Sequence, residues 1–243
     1  MRGHVSIPNP RSRFELSDYS RRLYQSFSGK FSHTMRLTRL VKICRVLGGT
    51  QVLEIGCHDL LFYYLINRNY DKYVGIDIGW EHGLDFALKN KRKLGWHTVE
   101  VAKADGECLP FKNERFDLIL CFETIEHLPD EAAAISEIAR VLRPGGTLLL
   151  SVPVEFGLVL LLKTLIRFVL RRKREYTVSE LVKASILCNP SEVSRCGHKG
   201  YNYRRTIEYL GDQNIDVRRV YCYPFGWLPD WLSIGVIIVS GKG

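Results

Sequence analysis

Between Gln51 and Ser240 short apolar runs alternate with longer amphipathic ones. Gln51–Ile55, Tyr73–Ile76, His97–Val101, Phe116–Phe122 and Thr147–Val152 are brief and rich in branched aliphatic residues, and they predict strands. Asp59–Asn67, Glu81–Lys93 and Pro129–Leu142 predict helices, the first with Asp59 as its N-cap. The third carries good helix formers (Glu131, Ala132, Ala133, Ala134) and is expected to stop sharply at Arg143-Pro144-Gly145-Gly146. This alternation implies a parallel sheet with helices on both faces and right-handed crossovers. Upstream, Leu23, Phe27, Phe31, Leu37, Leu40, Val41, Cys44 and Val46 recur at helical spacing and predict two helices broken at Ser28-Gly29. After Pro153 the rhythm lapses. It resumes with a helix over Tyr203–Asn214 and two final strands, Ile215–Tyr223 and Ile234–Ser240. The expected division is an N-terminal helical extension over 1–47 and an α/β domain over 48–243, with a helical insertion over 154–202.

Charge modifies this picture. Residues 1–50 carry ten Lys/Arg against two acids, and 154–205 carry eleven against four, while 51–153 carry eleven against sixteen. Basic flanks around an acidic middle concern partners rather than fold. The seven cysteines show no CxxC spacing, so reduced, mostly buried thiols in a cytoplasmic protein are expected, and no metal site. The opening residues lack the apolar run of a secretory leader. With 46% hydrophobic residues the chain can bury a sizeable core.

Four segments carry chemistry. Val52-Leu53-Glu54-Ile55-Gly56-Cys57-His58-Asp59 runs from a strand through a glycine into a helix, at the sheet edge where ligands dock. Gly75-Ile76-Asp77-Ile78 places an acid at the end of the second strand, 23 positions after Glu54, a spacing that suits a carboxylate on ribose hydroxyls. That aspartate would otherwise be an N-cap. In Ala104-Asp105-Gly106-Glu107, Asp105 can accept a hydrogen bond from an exocyclic amine and Gly106 leaves room for a flat ring; an Asp-Gly turn is the alternative. The fourth segment is Phe122-Glu123-Thr124-Ile125-Glu126-His127-Leu128, followed by Leu142-Arg143-Pro144-Gly145-Gly146.

In order and spacing, these segments resemble class I S-adenosylmethionine-dependent methyltransferases of the type 11 branch. The resemblance covers residues 48–153 well and 200–243 loosely. It implies a Rossmann-like seven-stranded, mostly parallel sheet whose last strand is antiparallel. It also implies S-adenosyl-L-methionine as cofactor and S-adenosyl-L-homocysteine as product. Glu54, Gly56, Cys57 and His58 would then hold the methionine part, Asp77 and Ile78 the ribose side, and Asp105 and Gly106 the adenine. Phe122 and Glu123 would close over the cofactor, and His127 matches the family histidine. His127 and Glu123 are the catalytic candidates, with His58 a further base near the cleft. One position departs from the pattern: His58 stands where the family has its second glycine, and its ring must either tilt away or crowd the cofactor.

The insertion is where acceptor choice is expected to reside. Phe156–Leu170 is nearly all apolar, and Lys163, Arg167, Arg171 and Arg174 would share one helical face, as in a helix lying at an anionic membrane surface. A lid over the active site is the alternative for 156–174. His198 and Tyr201 are substrate-contact candidates. The reading is of a small-molecule methyltransferase, cytoplasmic or peripheral at the membrane, with a lipidic or membrane-associated acceptor as one candidate class. Two rivals stand beside it. One is a nucleic-acid methyltransferase using the basic N-terminal arm, although the Asn/Asp-Pro-Pro-aromatic signature of base-amino methylases is missing. The other is a non-catalytic relative acting as a partner subunit.

Overall fold

Strands form where branched and aromatic residues can be covered on both sides, and β4 (Phe116–Phe122) shows why. Leu118 and Leu120 point to one face of the sheet and Ile119 and Cys121 to the other, and all four are buried. In the computed structural model, which describes residues 7–8, 12–25, 27–66, 68–169, 176–190, 193 and 198–243, β4 lies at the centre of a seven-stranded sheet. The strands are β1 (Gln51–Ile55), β2 (Lys72–Asp77), β3 (Val99–Lys103), β4, β5 (Leu142–Pro153), β6 (Ile215–Tyr223) and β7 (Gly235–Lys242), in the order β3-β2-β1-β4-β5-β7-β6. β7 runs antiparallel to both β5 and β6, and the other pairs are parallel.

Helices cover both faces. On one face α2 (Phe27–Val46) buries Leu37, Leu40, Val41 and Cys44 together with α3 (Leu61–Ile66), against Leu118, Leu120, Leu149 and Ile237. On the other, α5 (Glu131–Val141) and α8 (Tyr203–Asp212) bury Ile135, Ile138 and Leu210 against Leu53, Ile119, Leu148 and Ile238. Asp130 caps α5 by accepting the Ala133 N–H at 3.0 Å. α4 (Gly83–Leu94) follows β2, α1 (Asp18–Gln25) precedes α2, and α6 (Gly157–Val169) and α7 (Val178–Ser185) fall between β5 and β6. The cysteines at 44, 57 and 121 are buried free thiols; Cys108, Cys188 and Cys222 are free and more accessible, and Cys196 lies outside the described residues. No helix among the described residues is long and apolar enough to cross a membrane.

Two sequence expectations need correction. Ser28 and Gly29 do not break the N-terminal helices: both lie inside α2. The helical pattern of α2 is anchored from Leu37 onward, and one glycine near the start of a long helix costs only about 1 kcal/mol. Nor does Arg143-Pro144-Gly145-Gly146 lie outside the sheet. α5 ends at Val141, Leu142 is already extended (φ −77°, ψ 131°) and pairs with Phe116, and the Pro-Gly-Gly run sits within β5 across a register shift. The proline and glycines do stop the helix, and the chain enters the sheet without an intervening loop.

Candidate active site

A parallel sheet ends its strands on one edge, where backbone amides and carbonyls are left without ladder partners. Here that edge opens into a cavity of about 660 Å³ at the ends of β1, β2, β3 and β4. It brings together Glu54, Gly56, Cys57, His58, Asp77, Ile78, Asp105, Gly106, Phe122, Glu123, His127 and His198. Tyr201 is elsewhere: its ring is buried beneath α8, with its hydroxyl 2.6 Å from Thr206 Oγ1 and 3.4 Å from Glu131, so it packs the core instead of facing the cavity.

The turn after β1 is built by close approach. The amides of Gly56 and Cys57 both donate to Ile76 O (2.8 and 3.0 Å), drawing the turn against β2. Gly56 has φ +77°, and a Cβ there would fall 2.1 Å from Thr124 Oγ1, so no other residue fits. His58 also adopts a left-handed backbone (φ 45°), the conformation the family fills with glycine and one that histidine tolerates better than most residues. Its amide donates to Asp77 Oδ2 at 3.2 Å, while Asp77 Oδ1 accepts from Gly79 and Trp80 N–H at 2.7 and 3.2 Å. Asp77 is thereby held rigidly at the cavity rim. Glu54 is buried below the turn and accepts the Tyr73 hydroxyl at 2.6 Å. Burial pushes its carboxyl up to about 8, an effect the Tyr73 bond only partly offsets. Asp105 braces its own loop by accepting Glu107 N–H at 2.9 Å.

Beyond the end of β4 lies a second polar centre. Arg36, from α2, sits 2.8 Å from Glu123 with its side chain 7% exposed. Burial alone would raise the Glu123 carboxyl, but the Arg36 guanidinium, the His198 and His33 rings and the Ser151 hydroxyl together outweigh it and hold the group below its ordinary value. Ser151 Oγ and Tyr223 OH each donate to Glu123 at 3.3 Å. Among the described residues the buried Arg36 Nε has no hydrogen-bond partner. Nearby, the His127 and His198 rings meet edge to face at 4.4 Å above Glu126, whose side chain is 0% exposed. Glu126 Oε1 is 3.9 Å from His127 Nε2 and 3.6 Å from His198 Nδ1. Burial, then the Glu123 charge, drives Glu126 well above an ordinary carboxyl, and burial followed by the His198 charge pushes His127 down. His127 is therefore neutral at pH 7 and able to accept a proton. The donor atoms of Glu126, His127 and His198 all lie within 4.8 Å of one another, a set that could hold a divalent cation. Sequence spacing does not anticipate it, because His198 arrives from the far insertion.

A smaller cavity of about 210 Å³ adjoins the first through Arg36, Glu123 and His198. Its remaining wall includes His33, Glu155, Lys163 and Tyr223. Lys163 lies 3.4 Å from Glu155 and faces this cavity. Arg171 and Arg174, which the sequence aligns with Lys163, lie outside the described residues, as does the side chain of Arg167. Sequence reading also passed over Tyr19, Tyr24, Arg36 and Trp80, which complete the main cavity. Trp80 had a signal, a large aromatic three positions after the ribose-type acid and 54% exposed. Arg36 had none.

Comparison with known proteins finds methyltransferases. Residues 53–150 match the family described as "Methyltransferase domain". The chain is 28% identical over 118 residues to the ubiquinone biosynthesis O-methyltransferase of Leptothrix cholodnii, covering 48% of this chain and 50% of that one. It is 36% identical over 102 residues to a phthiotriol/phenolphthiotriol dimycocerosates methyltransferase of Mycobacterium tuberculosis, covering 41% and 36%. It thus spans half or less of the length of these curated relatives. In fold it is similar to magnesium protoporphyrin IX methyltransferase from Synechocystis PCC 6803, solved with bound SAH, at TM-score 0.62 and 18% identity over 92% of each chain.

Proposed function

We propose that this chain, whose residues 53–150 match a methyltransferase domain family, is a class I S-adenosylmethionine-dependent methyltransferase of the type 11 branch acting on a small-molecule acceptor. The observation that carries the reading is the open cavity at the strand ends, where Glu54, Gly56, Asp77 and Asp105 converge. These residues fit the cofactor. Gly56 lines the cavity with backbone alone, its turn drawn close against Thr124, Asp77 keeps acceptor capacity at the rim for a ribose diol, and Asp105 lines the same cavity where it could accept from a purine amine. Glu54, buried among apolar neighbours, suits an ammonium group. When bound, the cofactor supplies an electrophilic methyl group on a sulfonium.

The chain's own part is to orient, dry and deprotonate the acceptor. His127, neutral at pH 7, takes the proton from an acceptor hydroxyl, and His198 beside it shapes the same space. Arg36 Nε, buried without a partner among the described residues, is a donor for an acceptor oxygen. The smaller polar cavity behind Glu123 receives the acceptor's head group. The insertion 154–202 then selects the acceptor as an extension of the 48–243 domain, and 1–47 completes the wall.

A lipidic acceptor reached at a cytoplasmic membrane surface follows from the outer face of the insertion. Leu162, Leu165, Ile166, Phe168 and Val169 of α6 are exposed, as are Val178 and Val182 of α7. Trp227, 80% exposed, stacks at 6.1 Å on Phe225, and the adjoining turn at Asp230–Leu232 lies against α6. Exposed apolar and indole groups suit a bilayer interface, and the basic run 171–174 that follows α6 in the sequence would favour anionic lipid. Titration with S-adenosylhomocysteine tests the cofactor reading: micromolar binding is expected, and no binding would leave only a methyltransferase-shaped scaffold. Flotation with anionic and zwitterionic vesicles tests the surface. Wild type should float with the anionic set, Leu162→Glu and Trp227→Ser should float less, and equal flotation of all three removes the membrane reading.

A further inference from the structure

His58 replaces a glycine at the rim of the cavity, and its side chain is not idle. Nε2 lies 2.8 Å from Ser17 Oγ, and the ring packs edge-on against Tyr19 at 5.2 Å. On its other side it occupies the space a Gly83 side chain would need: a Cβ at Gly83 would sit 2.2 Å from His58 Nδ1. The ring therefore lies between the N-terminal segment and the start of α4, and the cavity stays open beside it.

That contact belongs to a wider seam. Asp59, next in sequence, accepts the Ser17 amide at 3.0 Å. Buried Asn90 exchanges two hydrogen bonds with the backbone of Glu15 (2.8 and 2.9 Å) and donates to Asp59 O at 3.3 Å. Lys89 and Lys93 hold the Glu15 carboxylate, and Arg22 pairs with Glu81. Ser17 Oγ also caps α1 by accepting the Ser20 N–H at 3.1 Å. Residues 12–25 are thus stitched across the carboxyl edge of the sheet, and Tyr19, Ser20, Leu23 and Tyr24 become a wall of the main cavity.

We infer that residues 12–25 form part of the cofactor site and that His58, through Ser17, is the positioning residue that seats them there. The departure from glycine is then a latch for the N-terminal segment, and Gly83 is glycine to make room for it. The inference rests on the cofactor reading above. It accounts for three features at once: a non-glycine residue held at φ 45°, a buried serine hydroxyl shared between a helix cap and an imidazole, and a glycine opening α4 under the ring.

The test is a double-mutant cycle on S-adenosylhomocysteine binding with Ser17→Ala and His58→Asn in the full chain. Asparagine tolerates the left-handed backbone but cannot reach Ser17 in place of Nε2. Each single change should raise the dissociation constant roughly two- to tenfold, the range of one hydrogen bond, and the pair no more than the larger single effect. His58→Gln, which can restore the reach, should recover most of the loss. Trypsin cleavage after Arg21 and Arg22 should be slowed by S-adenosylhomocysteine in wild type and less so in either variant. Tighter binding by His58→Asn would mean the ring crowds the cofactor, and additive single effects would mean the two residues act separately; either overturns the latch while leaving the cofactor reading intact. A wild-type chain that does not bind S-adenosylhomocysteine takes down both.

Discussion

A cofactor ammonium seated on Glu54, as proposed above, should make cofactor affinity depend on pH. Its carboxyl sits in the core end of the cavity and titrates at about 8, mainly because burial disfavours its charge. A cofactor ammonium docking there needs the carboxylate. At pH 6.5 only about 3% of Glu54 is ionised, so docking must first expel a proton at a cost of about 2 kcal/mol. Affinity for S-adenosylhomocysteine should therefore rise about eightfold between pH 6.5 and 8: ionisation of Glu54 contributes about sixteenfold, loss of half the ligand's own ammonium, near 8 for an α-amino group, about halves that, and the profile turns down above pH 8. Calorimetry at pH 6.5 in two buffers of different ionisation enthalpy should show about one proton released per ligand bound. 5′-Methylthioadenosine, which lacks the amino-acid portion, should show neither effect. Glu54→Gln should flatten the profile and weaken binding most at pH 8. The sign for folding is opposite. A carboxyl raised in the folded state contributes stability below its unfolded value, and that contribution is lost as pH rises through about 8, so Glu54→Gln should gain stability relative to wild type at pH 9 compared with pH 6. A flat affinity profile with no proton release would show that Glu54 does not meet the ammonium group.

Further outcomes follow from the same coordinates. Arg36→Ala leaves the Glu123 carboxylate buried without its 2.8 Å partner and should cost about 3–5 kcal/mol in urea unfolding, whereas Arg36→Met combined with Glu123→Gln should recover much of that. His127→Ala should lower kcat by about 10²–10⁴ with little change in S-adenosylhomocysteine affinity. In wild type, kcat/KM should fall as pH drops through a value below that of free histidine, because the His127 imidazole is pushed down and the neutral form is the base. Gly56→Ala should abolish cofactor binding in calorimetry while retaining folded circular dichroism, since the new methyl group lands against Thr124 at a positive φ.

The fold was legible where local pattern and tertiary burial agree. β4 runs over the residues the apolar pattern assigns, because a strand covered on both faces has little freedom in where it stops, and β6, a largely exposed edge strand, keeps its assigned bounds through pairing with β7. Agreement failed where tertiary contacts overrode local chemistry. Leu142 leaves α5 in an extended conformation and is captured at once by Phe116, so a Pro-Gly-Gly stop became part of a strand. Ser28-Gly29 resembles a breaker, yet the helix continues through it because Leu37, Leu40 and Val41 farther along pack against the sheet.

The same distinction divides the site. The strand-end cluster proposed for the cofactor was readable as a cluster because each of its residues ends or follows a strand of the parallel sheet, and the topology that makes the strands parallel also brings their ends to one edge: Glu54, Asp77, Asp105 and Glu123 belong or adjoin to β1, β2, β3 and β4. Sequence order alone predicts that meeting. The cluster proposed for the acceptor follows no such rule. Arg36 comes from an N-terminal helix, Lys163 and His198 from the insertion and Tyr223 from β6, and they converge only because three separately covered surfaces close over the end of β4. Nothing periodic in the chain marks those positions. Tyr201, three residues after His198, shows the consequence: adjacency in sequence suggested a shared pocket, but His198 turns toward Glu126 while the Tyr201 hydroxyl turns into the core toward Thr206. The cofactor end of such a domain is fixed by its sheet, and the acceptor end by how its excursions pack, so acceptor chemistry must be argued from charges and cavities in three dimensions.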